Sequence, residues 1–466
     1  MTPKLNRYIP TSIINFIENK LHIYIKWSND LSSKIYYLDN EGLIIICDII
    51  LRIAGSRDID NNNLVEIQTK SFHNILHNDY SLYLDYLIQE KIVITDNFYI
   101  PGEKSTSYKL NEDFIDDLKS ITMDNKTFIK RTIKVINETD TKLKISTKHK
   151  NNFKNDFRID FVSAWNYLTN CYINKIPDKK GRILSKYTRA ILQRKLLEIN
   201  DRQLFISRSP SNGRITTNLS ILNGDYKKFI LGYDYSLDIV SSQPSMLNIF
   251  INLIKELKGQ KSPNTNTYSY LSYEYRIIEK TLGKIDGTRF LEGLKSIKLP
   301  SKIELDLWKK LCENDDIYIY FASEIFKLTG NKITRAEAKQ IFIIVIYSSS
   351  KSHNEYKKIF SVIFPSIYKF LNDIKSIAKI KRSHKMLPIL LQGTESFMWI
   401  EMILPELDRL DIKYHFIHDS IIIQKKDFDR AYLKIKEQFF ISGLNAQIDT
   451  VDIRTDKKIK EMNDKD

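Results

Sequence analysis

The residues best suited to chemistry fall in three short stretches. In YHFIHDSIIIQ, Tyr414 to Gln424, an apolar run carries His418, Asp419 and Ser420 in its middle and then resumes. Two β-rich pieces meeting at a polar tip read as a hairpin, and a carboxylate held there on rigid strands suits a hard divalent cation. In FILGYDYSLDIVSSQPSMLNIF, Asp234, Ser236 and Asp238 recur at period two, on one face of a strand. SSQPSMLNIFINLIKEL then reads as a helix with Pro244 in its first turn, so Asp238 ends a strand just ahead of a helix, a good place to hold a metal. In TRAEAKQIFIIVIYSSS, Thr334 and Glu337 form a capping-box pattern. On that helix Arg335, Lys339, Ile343 and Tyr347 drift along one face, and a basic pair one turn apart near a helix start suits a triphosphate. Two of these stretches also have a plainer reading taken alone: a buried turn Asp, and a surface Arg and Lys on an apolar helix.

The elements that must position these residues follow from the patterning. Residues 1–112 read as a small α/β unit, with two helical stretches (LIIICDIILRIAG and SFHNILHNDYSLYLDYLIQEK) and a hairpin from KIVITDNFYI to SYKL. That order suggests a winged-helix module, with a plain structural α/β subdomain as the alternative. Residues 113–200 form a basic, mostly helical linker or thumb-like region. There KKGRILSKYTRAILQRKLLEIN puts Lys186, Arg189, Arg194 and Lys195 among apolar residues, free to reach phosphates or simply to be solvated. Residues 201–466 hold the three stretches above. KKIFSVIFPSIYKFLNDIK is an amphipathic helical region broken at Pro365, and LPILLQGTESFMWIEMILPEL is a helix with Gln392 and Glu395 near its start.

The 466 residues suffice for two or three domains, and 72 Lys+Arg against 57 Asp+Glu leave a net charge of +15. Nucleic acid is the first partner this suggests, although a generically basic protein meets the same description. Cys47, Cys171 and Cys312 lie far apart without metal-ligand spacing, which argues against a disulfide framework or a zinc site. No apolar run is long enough to span a membrane and the N-terminus lacks a signal-peptide core, so a reducing, cytoplasmic setting is expected.

Taken in order, these segments resemble the polymerase module of family A DNA polymerases over roughly residues 200–455. SNGRITTNL resembles the segment before the palm, YSLDIVSSQ motif A, TRAEAKQIFIIVIY motif B, FSVIFPSIYKFL the helix after the fingers, LLQGTES the Gln-Gly-Thr segment and FIHDSIIIQ motif C. The resemblance implies an α+β, right-hand polymerase with palm, fingers and thumb, preceded by the small N-terminal domain. Departures stand beside it. Ile343 replaces an aromatic or Met, Ser348 a Gly, and Ser420 a Glu, the last as in phage-type single-subunit RNA polymerases. Gln243 stands where the DNA polymerases usually carry a Glu against the ribose 2′-hydroxyl.

The resemblance implies roles residue by residue. Asp238 and Asp419, with the Ile239 carbonyl, would bind two Mg²⁺ ions (Mn²⁺ as a substitute), and Asp234 is the competing motif A carboxylate. Arg335 and Lys339 would grip the triphosphate, with Lys339 also catalytic as a proton donor. Gln243, Ile343 and Tyr347 would border the nucleotide, while Arg214, Gln392 and His418 would touch the primer–template. The leading expectation is a DNA-directed DNA polymerase, encoded by a phage, plasmid or other mobile element. It would take dNTPs and a primer–template and lack a proofreading exonuclease. A single-subunit RNA polymerase or primase using rNTPs, and a non-catalytic nucleic-acid-binding replication factor, are the alternatives.

Overall fold

The computed structural model describes residues 5–27, 33–55, 64–101, 104–141, 146–178, 181–209, 211–222, 224–259, 276–349, 352, 354–377, 383–417 and 419–459. It is a mixed α+β chain, mostly helical, with small antiparallel sheets. None of its described helices is long and apolar enough to cross a membrane. The chain divides into two compact units. The first comprises Met1–Lys144, Lys154–Ser207 and Thr217–Leu231; the second comprises Ile145–Phe153, Arg208–Thr216 and Gly232–Asp466.

The first unit is built around the helix Asn40–Ala54. Asp39 caps its start by accepting from the Glu41 and Gly42 backbone amides, and residues 42–51 are all buried. A helix apolar almost all round belongs in a core. Helices Thr69–Leu76 and Tyr80–Gln89 precede the strands Val93–Thr95 and Ser107–Leu110, and the latter also pairs with Val65–Glu66.

The helix Lys186–Asn200 departs from expectation. Arg194 and Lys195 do not reach outward to phosphates. Arg194 is buried against Asp48 (3.1 Å) and Glu198 (2.7 Å), Arg189 pairs with Asp117, and the Lys195 ammonium donates to the Ile221 carbonyl (2.6 Å). The reason is Asp48, a carboxylate in the middle of the core helix that needs cations. Arg7 (2.9 Å) meets it from the strand Asn6–Pro10. Burial pushes the Asp48 carboxyl up, but Arg194 and Arg7 outweigh burial and hold it at about 2.

The second unit is organised on one five-stranded antiparallel sheet. Its order is Tyr414–Ile417, Ser420–Ile423, Tyr235–Ile239, Ile448–Asp452, Lys457–Lys458. The expected hairpin is present, with both strands buried throughout. The helix Ser242–Leu257 leaves the central strand through Ser241, a non-glycine residue in the left-handed region (φ 55°).

The capping box at Thr334 and Glu337 forms as the spacing predicts, and the break at Pro365 separates helices Glu355–Ile363 and Pro365–Lys375. The segment after residue 386 differs. The α-helix Met386–Ser396 gives way to a π-helical stretch, Phe397–Ile403, so Gln392 and Glu395 lie toward the helix end rather than its start.

Replacing Asp48 by Ala is expected to destabilise the first unit by about 3–5 kcal/mol, because two buried guanidiniums lose their shared counter-charge. Urea denaturation of the full chain measures it. A loss under about 1 kcal/mol would mean that the two arginines are solvated once freed.

Candidate active site

Pairing in the sheet decides where the acidic side chains go. Asp238 lies opposite Ser420 on one side and opposite Asp449 on the other. Asp419, at the hairpin tip next to Ser420, is therefore brought to the same end of the sheet as Asp238, and both line one cavity of about 450 Å³. Asp234 sits at the other end of the central strand. Its carboxylate accepts from the Lys425 backbone amide (2.8 Å), and it does not line the cavity.

The turn after Asp238 supplies one wall of the cavity, from Ile239 to Gln243. The left-handed turn at Ser241 costs about 1–2 kcal/mol and lets the chain start a helix at the cavity's edge. A helix start offers unsatisfied amide donors, a favourable environment for an anion.

The facing wall is the helix Arg335–Tyr347. Arg335, Lys339, Ile343 and Tyr347 all line the cavity, as their spacing requires. Phe342, on the helix's buried side, packs in an aromatic cluster with Trp308, Phe321 and Phe360. Asp316 holds Arg335 in place: one oxygen caps the helix Ile317–Thr329 through the Tyr318 amide (2.9 Å), and the other accepts from Arg335 Nε (2.6 Å). At the far end, one buried lysine binds a carbonyl of the last turn and another binds carbonyls of the segment that follows. Lys375 Nζ donates to the Val345 carbonyl, and Lys357 Nζ to the Ser349 and Ser352 carbonyls. Burial, then the neighbouring Lys357, brings Lys375 down to about 7.

A polar cluster closes the cavity. Glu395 is fully buried and accepts from Arg214 through Nε (3.0 Å) and Nη2, from Ser242 Oγ and from Gln243 Nε2 (3.4 Å). Burial pushes the Glu395 carboxyl up, and the Arg214 charge only partly offsets this. For Arg214, burial works against the charge, but Glu395 outweighs it and the net shift is upward. Gln392 accepts from Asn212 (2.6 Å) and donates to the Tyr347 hydroxyl. Burial raises the Tyr347 phenol.

The structure thus brings Asp238, Ile239, Asp419, Arg335, Lys339, Ile343, Tyr347, Gln243 and Arg214 to one cavity, with Gln392 bonded to its rim. His418 lies outside the described residues. Sequence reasoning missed the positions of Glu395, Asp449 and Asp316. Asp316, directly before an apolar helical run, was legible as a cap; nothing local marked Glu395 as the partner of Arg214.

Asp238 near the end of its strand, Asp419 at the hairpin tip and the adjoining Ile239 backbone make a donor set suited to a hard cation. Among the described residues no three His, Cys, Asp or Glu converge on a common point. Two carboxylates that leave the other coordination positions to water and phosphate fit Mg²⁺ better than a closed structural site.

No protein-family model matches the chain, and no curated protein matches it in sequence. Among solved structures it is similar to the POL domain of Pol1 from M. smegmatis, in complex with DNA primer-template and dNTP. The identity is 8%, the match covers 70% of this chain and 73% of that one, and the TM-score is 0.32. A likeness of that size does not establish a shared fold.

Behind the hairpin two buried histidines share one apolar layer. His149 stacks on Tyr414 (5.4 Å between ring centroids), and His415 meets Tyr233 (4.1 Å) and Phe153 (5.8 Å). Burial lowers His149 to about 4; burial and then His149 lower His415 to about 3. Both stay neutral when folded, while the unfolded chain takes up protons below about pH 6.5. Their contribution is therefore complete above pH 6.5 and is lost as pH falls toward 4. Thermal unfolding from pH 7 to 4.5 is expected to show this as a falling midpoint, with a His415→Phe chain less sensitive. Equal slopes for the two chains would contradict it.

Proposed function

We propose that the chain is a template-dependent nucleotidyltransferase, a DNA-directed DNA polymerase that extends a primer and lacks a proofreading exonuclease. The observation that carries this reading is the convergence of Asp238, Asp419, Arg335 and Lys339 on one cavity. They come from three distant stretches of chain, and together they match what a nucleoside triphosphate and its cations need.

In the reaction a primer 3′-oxygen attacks the α-phosphorus in line. A P–O bond forms, the bond to the bridging oxygen breaks, and pyrophosphate leaves. Positioning and charge neutralisation do most of the work. Asp238 and Asp419 would hold two Mg²⁺ ions, with the Ile239 carbonyl as a further ligand. Bound there, the ions would favour the deprotonated 3′-oxygen and neutralise the leaving group. Arg335, oriented by Asp316, grips the terminal phosphates. Lys339 Nζ makes no ion pair among the described residues. It is available to the same phosphates and delivers a proton to the departing pyrophosphate.

Ile343, Tyr347 and Gln243 border the base and sugar. Gln243 is bulky, which favours deoxynucleotides. Arg214, Gln392 and His418 would contact the primer–template, whose minor-groove acceptors vary little with sequence. Residues 201–466 would carry the palm and fingers, residues 113–200 a thumb-like region, and residues 1–112 a winged-helix-type domain that contacts the nucleic-acid backbone.

Primer extension tests this, with Mg²⁺ and parallel dNTP and rNTP reactions. Asp419→Asn and Asp238→Asn are each expected to lower the rate by about 10³-fold or more, the loss of several kcal/mol of charge stabilisation. Extension by rNTPs, or synthesis without a primer, would favour an RNA polymerase or primase, the reading that Ser420 supports. Absence of extension with either nucleotide set would leave the nucleic-acid-binding factor.

A further inference from the structure

We propose that Glu395 is a positioning residue: its buried carboxylate holds the Arg214 guanidinium as a private counter-ion and so keeps Asp419 open to a divalent cation. The inference rests on the preceding reading only in taking Asp419 as a cation ligand.

Arg214 and Asp419 line the same cavity, and the Arg214 charge is influenced by Asp419 as well as by Glu395. A guanidinium near an exposed carboxylate ordinarily pairs with it, since its fork of donors matches two oxygens. Here it does not. Arg214 spends Nε and Nη2 on Glu395, and among the described residues Asp419 makes no ion pair.

Three features let Glu395 win. It is fully buried, whereas Asp419 is partly exposed, and attraction is stronger where water is excluded. Ser242 and Gln243 donate to its other oxygen, so the carboxylate has few directions in which to turn. Finally, the backbone of Arg214 is tied in the same turn: its amide donates to Asn212 Oδ1 (3.2 Å), and Asn212 reaches Gln392 (2.6 Å).

Loss of the Glu395 charge would leave Arg214 part-buried and unpaired, a costly state. Asp419, whose charge already acts on Arg214, is then open to pair with it. An arginine there repels a cation and occupies the oxygens that would bind it. Glu395 acts through Arg214 and need not touch the ion.

The test is Mn²⁺ binding to the full chain without nucleic acid, read from the electron paramagnetic resonance signal of the free ion. Asp419→Asn comes first. If it binds Mn²⁺ as tightly as the unaltered chain, Asp419 is no ligand, and the parent reading fails together with this one. If Asp419→Asn weakens binding, Glu395→Gln, which keeps the side-chain size, is expected to bind Mn²⁺ about tenfold more weakly.

Glu395→Gln combined with Arg214→Met is expected to return to the affinity of the unaltered chain. This doubly substituted chain buries no unpaired charge and is the arm least exposed to misfolding, which circular dichroism checks. A Glu395→Gln chain with unaltered affinity would overturn the proposal. So would a double variant that binds weakly, because Glu395 would then act by its own charge and not by holding Arg214.

Discussion

The hydrogen-bond ladder on both sides of Tyr235–Ile239 constrains everything else in the second unit. Because the strand is paired along both edges, its register is specified twice, and a slip of one residue would turn Asp238 to the opposite face. The neighbouring strands Ser420–Ile423 and Tyr414–Ile417 are buried on every residue, so apolar packing holds the same register that places Asp419 beside the end of the central strand. The helix Arg335–Tyr347 is then set by aromatic packing at Phe342, by Asp316 at one end and by two buried lysines at the other. Its basic face has little freedom to point elsewhere.

Buried carboxylates answered by arginine recur in both units, with different consequences. Asp48 in the first unit sits in a core helix and draws in Arg7 and Arg194, which ties a strand and two helices together. Glu395 in the second unit faces the cavity and holds Arg214 there. The same electrostatic demand thus serves as scaffold in one place and arranges a site in the other. Each such pair is neutral, so it leaves the net charge of +15 unchanged.

Local signals in the sequence agree with the structure. The capping box at Thr334, the helix break at Pro365, the hairpin around Asp419 and the helix following Asp238 all depend on neighbours within a few residues. Features set by partners far along the chain leave no such local mark. Arg194 and Lys195 looked like an outward basic face but are answered by Asp48 and by the Ile221 carbonyl. Glu395 looked like one polar residue in an apolar helix, and no local pattern linked it to a turn 181 positions earlier. The π-helical stretch after Ser396 likewise has no signature in periodicity.

Periodicity, capping and side-chain chemistry are local properties, so most element types, the two carboxylates and the Arg335–Lys339 pair are legible in the chain. Long-range packing is what puts these groups on one cavity, keeps Asp234 out of it, and gives Arg214 to Glu395 rather than to Asp419. Those outcomes follow from strand register and from the energetics of burying charge, which are settled only when distant segments pack and water is expelled.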